Sequence, residues 1–320
     1  MKLHLELVVL PLLAILAASA VAEVYPGRPV HVIVPNATSG LADICTRLVA
    51  AKLGDALGQP FLVENRPGAG GTVGTAAAAR SAPDGYTLLA VFDSHATNPS
   101  LFRDLPYDTL TDFAPVSLLA RGPLVLVVNA SLGPRAVEEL VALARAKPGE
   151  VNFATVGPGS PARLLMEMLK LEARIDVTMV PYKGAGVALG DLVSGQVHAM
   201  FATAPSVSAH LKSGRLRALA VTSARRGAVL PRVPAMSETY PGFVSESWVA
   251  LLAPAKTPTE IVARLNAEAA KALGRPDTKA RLAELGLVPA AGSPEDLDRW
   301  IRAEMERWAR VIREQRITLE

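Results

Sequence analysis

Short apolar runs alternate with longer amphipathic segments along most of this chain, and that order constrains the fold more than any other feature. Residues 30–34, 61–64 and 87–91 are predicted strands, and residues 41–57 are a predicted helix. Strands that alternate with helices form parallel sheets covered by those helices, because each crossover returns the chain to the same end of the sheet. The sequence therefore predicts an α/β fold in which mostly parallel sheets are flanked by helices.

A second set of elements begins after the continuous apolar run at residues 124–128, which predicts a buried strand crossing between two lobes. The chain has 320 residues, more than one small core organises. We assign residues 23–122 and 254–320 to lobe one, and residues 123–253 to lobe two. The later strands are predicted at residues 151–155, 177–182, 197–202 and 216–222.

Each predicted lobe contains a glycine-rich turn between a strand and a helix. The first lies at residues 67–74, and the second at residues 157–161, where Ser160 is the expected N-cap and Pro161 the first helical residue. Glycines let a ligand approach the backbone, and the free N–H groups of a first helical turn attract anions. We predict that the two turns face each other across a cleft and hold an anionic ligand.

Two other interpretations of the first turn stay open: it serves packing alone, or it belongs to a nicotinamide-dependent oxidoreductase. The dinucleotide fingerprint G-x-G-x-x-G, counted from Gly68, needs a glycine where Val73 stands. The sequence motifs of zinc hydrolases, paired-cysteine sites, phosphate loops and α/β-hydrolases are absent. We therefore predict a protein that is not an enzyme, with no catalytic residue, metal or cofactor.

Two single residues and the overall charge also bear on which function the chain can have. His95 follows a strand of lobe one, and we predict that it contacts the ligand or has a structural role rather than a catalytic one. Cys45, the one cysteine, lies among apolar residues at helical spacing and is predicted to be a core residue. The formal net charge of +3 comes with dispersed arginines and few aromatic residues, a pattern that does not suggest nucleic-acid binding.

Local signals also mark the two ends of the chain. Lys2, the apolar run at residues 7–18 and Ala20-Val21-Ala22 describe a signal peptide, and we predict cleavage after Ala22 and export to the periplasm. An uncleaved membrane anchor is the alternative. In the C-terminal part, a capping box is predicted at residues 257–260 and a helix start at Ser293.

Short motifs recur in a characteristic order along almost the whole mature chain. They are VP at 34–35 with Gly40 and Asp43, VENRPGAGG at 63–71, PDGYTLL at 83–89, PYD at 106–108, DFAPV at 112–116, VPYKG at 180–184, GQV at 195–197 and LAVTS at 219–223. This set resembles the extracytoplasmic solute receptors of tripartite tricarboxylate transporters, often called Bug receptors. The resemblance implies a two-lobed, type II-like periplasmic-binding-protein fold that closes on a small carboxylate. It also implies delivery of the unchanged ligand to the membrane subunits of the transporter, and we expect a monomer.

The resemblance also implies which residues contact the ligand, partly through water. Lobe one would contribute the loop at residues 36–40 and the turn at residues 70–72, and lobe two the strand end at Thr155, the second glycine turn and a third loop. The residues expected to bind are Asn36, Thr38, Ser39, Gly40, Gly70, Gly71, Thr72, Thr155, Gly157, Gly159, Ser160 and Gly184.

Departures from the family pattern bear on specificity. Asn36 and Ser39 make the first loop more polar than the aromatic residue and glycine pair usual there. Arg163 stands where members commonly have histidine; it either pairs with the ligand carboxylate or is solvated on its helix. Ala202 stands where receptors for amino acids place an acidic residue, so a ligand amine would be unpaired. We predict a mono- or dicarboxylate without an amino group. A receptor that serves a membrane sensor has the same fold and stays an alternative.

Overall fold

The computed structural model describes residues 25–38, 40–156, 159–182, 184–227 and 230–318. The predicted signal peptide and its cleavage site lie outside these residues. The strands within them are β1 Val30–Val34, β2 Phe61–Asn65, β3 Thr87–Phe92, β4 Phe113–Asn129, β5 Asn152–Val156, β6 Thr178–Tyr182, β7 Ala199–Thr203, β8 Leu216–Val221, β9 Glu246–Pro254 and β10 Val288–Pro289. The α-helices are α1 Leu41–Leu57, α2 Thr72–Ala79, α3 Ser94–Leu101, α4 Val137–Ala146, α5 Pro161–Ala173, α6 Ala185–Ser194, α7 Ala204–Lys212, α8 Met236–Thr239, α9 Thr259–Gly274, α10 Pro276–Glu284 and α11 Pro294–Glu314.

The strands form one curled, mixed sheet flanked by helices, which is the predicted α/β architecture. Their order is β2-β1-β3-β9-β4-β7-β5-β6, with β8 and β10 paired to β4. β1 runs parallel to β2 and β3, and β5 runs parallel to β6 and β7. β4 and β9 are antiparallel to their neighbours, a direction that alternation of strands and helices does not reveal.

β4 is 17 residues long and takes part in both halves of the sheet. Up to Pro123 it pairs with β9, and from Leu124 onward it pairs with β7 and β8. The predicted crossing strand is therefore the second half of a longer strand. β9 pairs with β3 and with the first half of β4, which groups it with lobe one, whereas the predicted boundary counts most of β9 in lobe two. The division of the chain into lobes stays a prediction.

Separate apolar cores lie on the two sides of this crossing. Val32, Leu88 and Val249 belong to a core in lobe one that includes Cys45, whose thiol is fully buried. Burial raises the pKa of that thiol to about 12, so Cys45 is a core residue, as predicted. The core of lobe two contains Phe153, Leu164 and Phe201. α11 packs against both halves, because its early residues lie in a lobe-one cluster and its later residues in the lobe-two core.

Of the two caps predicted in the C-terminal part, one is confirmed and one is wrong. Ser293 and Asp296 form a reciprocal capping box at the start of α11, with bonds of 2.9 and 3.2 Å. At α9, Pro258 is the N-cap and no side chain caps the helix. The Thr257 hydroxyl instead donates to the carbonyl oxygen of Pro254 at 2.7 Å, because the chain turns there out of β9.

Candidate functional site

A cavity of about 360 Å³ lies between the two halves of the molecule. Lobe one contributes the end of β1, the first glycine turn and one face of α3. Lobe two contributes the end of β5 and the start of α5. The lining residues are Asn36, Ala69, Gly70, Phe92, Ser94, Asn98, Leu101, Phe102, Val156, Gly159, Ser160 and Pro161.

The first glycine turn brings its own backbone close to this cavity. Gly70 and Gly71 have φ angles of +65° and +92°, a region that residues with a Cβ rarely adopt. A Cβ on Gly71 would lie 3.3 Å from the carbonyl oxygen of Pro35 and 3.6 Å from the Ser94 hydroxyl. α2 begins at Thr72, directly after the turn. The N-terminus of α2 is therefore held against the end of β1 and the start of α3.

α3 supplies the largest set of side chains to the cavity. Ser94, Asn98, Leu101 and the following Phe102 are spaced i, i+4, i+7 and i+8, so they share one helical face. The Asn98 amide donates to the carbonyl oxygen of Gly70 at 3.0 Å, and a Cβ on Gly70 would lie 3.4 Å from the Phe102 ring. α3 thus holds the glycine turn in place.

The sequence analysis missed α3 and the cavity residues that belong to it. The segment has no clear apolar stripe, and Pro99 lies inside the helix. One signal could have found these residues: they follow β3 directly, and ligands in open α/β sheets bind outside the carboxyl ends of strands. Ala69, Val156 and Pro161 were also missed, although each is adjacent to a residue of the predicted turns or strand ends.

A buried carboxyl group anchors the start of α3. Asp93 is 4% exposed, and its Oδ1 accepts a hydrogen bond from the backbone N–H of Trp248 on β9 at 3.2 Å. It makes no side-chain cap to α3 itself. Burial, and then the nearby Glu304 carboxyl, raise the pKa of Asp93 well above its usual value. The cavity-lining helix is therefore fixed to β9 by a carboxyl group that favours its neutral form.

The lobe-two turn is held by a local cap. The Ser160 hydroxyl accepts a hydrogen bond from the backbone N–H of Arg163 at 3.2 Å, and Pro161 is the first residue of α5. Both features agree with the prediction. Gly159 lies close to lobe one, because a Cβ there would be 2.9 Å from Cδ1 of Leu101. Gly159 of lobe two and Leu101 of lobe one are therefore in close contact.

Part of the predicted site lies at the cavity. Asn36, Gly70, Gly159 and Ser160 line it. Ser39 and Gly157 lie outside the described residues. Gly71 and Thr72 adjoin the lining without belonging to it. The other predicted residues also lie outside the lining: Thr38, Gly40, His95, Thr155, Arg163, Gly184 and Ala202.

His95 and Ala202 are both buried among core residues, so ligand contact by either one stays a prediction. The His95 side chain is 2% exposed, with its ring 6.3 Å from that of Tyr107 and 5.4 Å from that of Phe113. Burial lowers the pKa of His95 to about 4. Ala202 is 7% exposed and faces Val125 of β4 in the sheet. Neither side chain belongs to the described lining of the cavity, and the sequence pattern did not reveal their burial.

Neutral groups dominate the cavity's electrostatics. No lining residue in the described part of the chain carries a charge. The Asn36 side-chain oxygen is buried and has no hydrogen-bond partner among the described residues. The helix dipoles of α2 and α5 favour negative charge near their N-termini, whereas the N–H groups of Gly71, Thr72 and Arg163 already donate to Gly68, Ala69 and Ser160. Across the described ranges, no group of three histidine, cysteine or acidic residues could hold a metal ion, and no helix is long and apolar enough to cross a membrane.

Comparison with known proteins gives one consistent family. Residues 45–317 match the model of the tripartite tricarboxylate transporter family receptor. Protein BugT of Bordetella pertussis is 42% identical over 93% of this chain and 93% of its own length. The solved structure of Rpa4515 of R. palustris with adipate has a TM-score of 0.80 and 38% identity, covering 92% of this chain and all of that one. MatC of Rhodopseudomonas palustris with bound malate has a TM-score of 0.76 and 35% identity, covering 90% of this chain and all of that one. The chain therefore belongs to the receptor family of the tripartite tricarboxylate transporters.

Proposed function

We propose that this protein is a periplasmic receptor that binds a small carboxylate between its lobes and delivers it to the membrane subunits of a tripartite tricarboxylate transporter. The observation that carries the proposal is the cavity itself, which is lined from both lobes and lies beside the N-termini of α2 and α5. Two family members of known structure are described with carboxylates, adipate and malate. Together, family and geometry favour a binding protein over an oxidoreductase.

The chemistry of the cavity supports a carboxylate without an amino group. Backbone N–H groups and helix dipoles stabilise a negative charge without needing a cationic side chain. An ammonium group in the same cavity would need a carboxylate partner, since an unpaired buried charge is costly. No acidic side chain lines the described part of the cavity. This observation now supports the prediction that first rested on Ala202.

Ligand binding would close the lobes about β4 and β9. Binding groups are divided between lobes joined by the crossing of β4, an arrangement typical of hinge closure. We expect the radius of gyration in small-angle scattering to fall when a bound carboxylate saturates the protein. An unchanged radius at saturation would contradict closure.

Calorimetry with a matched pair of ligands and variants tests the site. We expect glutarate to bind more tightly than glutamate, which carries an additional amino group.

Gly71→Asp should abolish binding, because it places a side chain, with a charge of the same sign as the ligand carboxylate, where the turn approaches Pro35 and Ser94. Gly190→Asp is the matched control, since Gly190 is exposed on α6 and a Cβ there meets nothing within 4 Å. Unchanged affinity in Gly71→Asp would overturn this site.

Other measurements separate the proposed function from its alternatives. Thermal shifts with NAD(H) and with a carboxylate panel test the oxidoreductase: stabilisation by NAD(H) alone would favour it. Cross-linking of the ligand-loaded protein to native membranes should capture transporter subunits, whereas capture of a sensor would favour a role in signalling over one in transport.

Mass spectrometry of the periplasmic fraction should find a chain that begins at Glu23. A full-length chain held in membranes would contradict export with cleavage.

A further inference from the structure

Most of the cavity wall is hydrocarbon. Phe92, Leu101 and Phe102 line it from lobe one, and Val156 and Pro161 line it from lobe two. Leu101 at the end of α3 and Phe102 directly after it place two adjacent apolar side chains beside the glycine turn. A ligand held between the lobes must place most of its body against these side chains.

Polar groups in the cavity are few, and some are already engaged. The Asn98 amide donates to Gly70 at 3.0 Å, and the Ser160 hydroxyl accepts from the N–H of Arg163 at 3.2 Å. Asn36 and Ser94 are the other polar side chains among the described lining residues. Together with the helix dipoles of α2 and α5, this small set would face the carboxylate oxygens of a ligand. It does not match the many donors and acceptors of a polyhydroxylated acid.

Building on the proposed function, we infer that the ligand is a carboxylic acid with an unsubstituted hydrocarbon body. Methylene or ring carbons against Phe102 and Val156 gain free energy because apolar surface leaves water. A hydroxyl in the same position loses its water partners and finds no replacement, which weakens binding about tenfold or more per group. The wall therefore selects against hydroxylated acids of the same length and charge.

Two pairs of acids that differ only in hydroxyl groups test this inference by calorimetry. Adipate and galactarate share six carbons and two carboxylates, and hexanoate and gluconate share six carbons and one carboxylate. We expect the unsubstituted member of the pair that fits to bind at least about tenfold more tightly than its hydroxylated partner. Equal or tighter binding by galactarate or gluconate would overturn the inference and leave the proposed function intact. If none of the four acids binds, the inference is overturned, and the glutarate titration described above decides whether the proposed function stands.

A single isosteric substitution tests the role of the wall directly. Val156→Thr keeps the side-chain volume and adds a hydroxyl that can pair with a ligand hydroxyl. We expect it to lower the preference for the unsubstituted acid severalfold. Val187→Thr is the matched control, because Val187 is 64% exposed on α6 and lies outside the lining. An unchanged preference in Val156→Thr, with the fold intact by circular dichroism, would show that this wall does not set specificity.

Discussion

The turns that precede α2 and α5 both lie at the cavity but are held by different means. In lobe two, Ser160 caps α5 through a bond to the N–H of Arg163, three residues further on. In lobe one, the turn before α2 depends on Asn98, which is 28 residues away from Gly70, and on close packing against β1 and α3. The difference teaches that two turns at one cavity can be held by local or by tertiary contacts, and we expect the turn held by tertiary contacts to tolerate less change.

The largest effect should come from adding one methyl group to the lobe-one wall. In Gly74→Ala, the new Cβ would lie 2.6 Å from the carbonyl oxygen of Arg66 and 2.9 Å from Cβ of Pro35. Because backbone atoms cannot move aside cheaply, we expect a loss of about 3 kcal/mol in the free energy of unfolding. Urea denaturation followed by circular dichroism measures it.

Gly190→Ala is the matched control for that change. Gly190 is exposed within α6, and a Cβ there meets nothing within 4 Å. Alanine favours a helix interior over glycine, so this variant should gain up to about 1 kcal/mol. Equal stabilities for the two variants would mean that the lobe-one wall is not tightly packed around α2.

A smaller effect is expected in the lobe-two wall. Ser160→Ala removes the side-chain cap of α5 and should cost about 1 kcal/mol in stability, together with a loss of carboxylate affinity. Ser293→Ala removes the cap of α11, which lies outside the cavity, and should cost a similar amount without changing affinity. If both variants keep full affinity in calorimetry, the α5 terminus does not contribute to binding.

The smallest effect is expected for Asp93, whose carboxyl group lies behind the lobe-one wall, and this effect depends on pH. Because the pKa of Asp93 is raised in the folded protein, folding is favoured most below the unfolded pKa of about 4. That stability is lost as pH rises through the raised value. Asp93→Asn imitates the neutral form, so its melting temperature should exceed that of the wild type more at pH 8 than at pH 4.

Asp277→Asn gives the opposite sign and serves as the control for that pH series. A hydrogen bond from Lys52 is the main reason that the pKa of Asp277 is lowered to about 2. Its stabilising effect is present above the unfolded pKa of about 4 and is lost as pH falls toward 2. This variant should therefore be less stable than the wild type at pH 8. A parallel pH dependence in both variants would rule out a special role for the Asp93 site.

The same division between local and tertiary contacts explains what could be predicted from the sequence. α1 has the predicted limits, and Ser160 and Ser293 cap the predicted helix starts, because each feature depends on residues a few positions apart. The position of β9 between β3 and β4 depends on pairing between residues that are far apart in the sequence, and no local pattern predicts such pairing. The side-chain direction of His95 could not be predicted for a related reason. Its position after β3 was predicted, but its rotation into the core, toward Tyr107 and Phe113, depends on α3.

The place of β9 in the sheet has a consequence for the order of folding. β3 pairs with a strand that follows it by about half the length of the chain, since Leu89 faces Leu252. During synthesis, the first half of β4 and β3 both lack this partner until the chain is nearly complete. Contacts between such distant residues form slowly, because a long loop must close before they stabilise the chain. We therefore expect lobe one to complete its sheet only after β9 has been made.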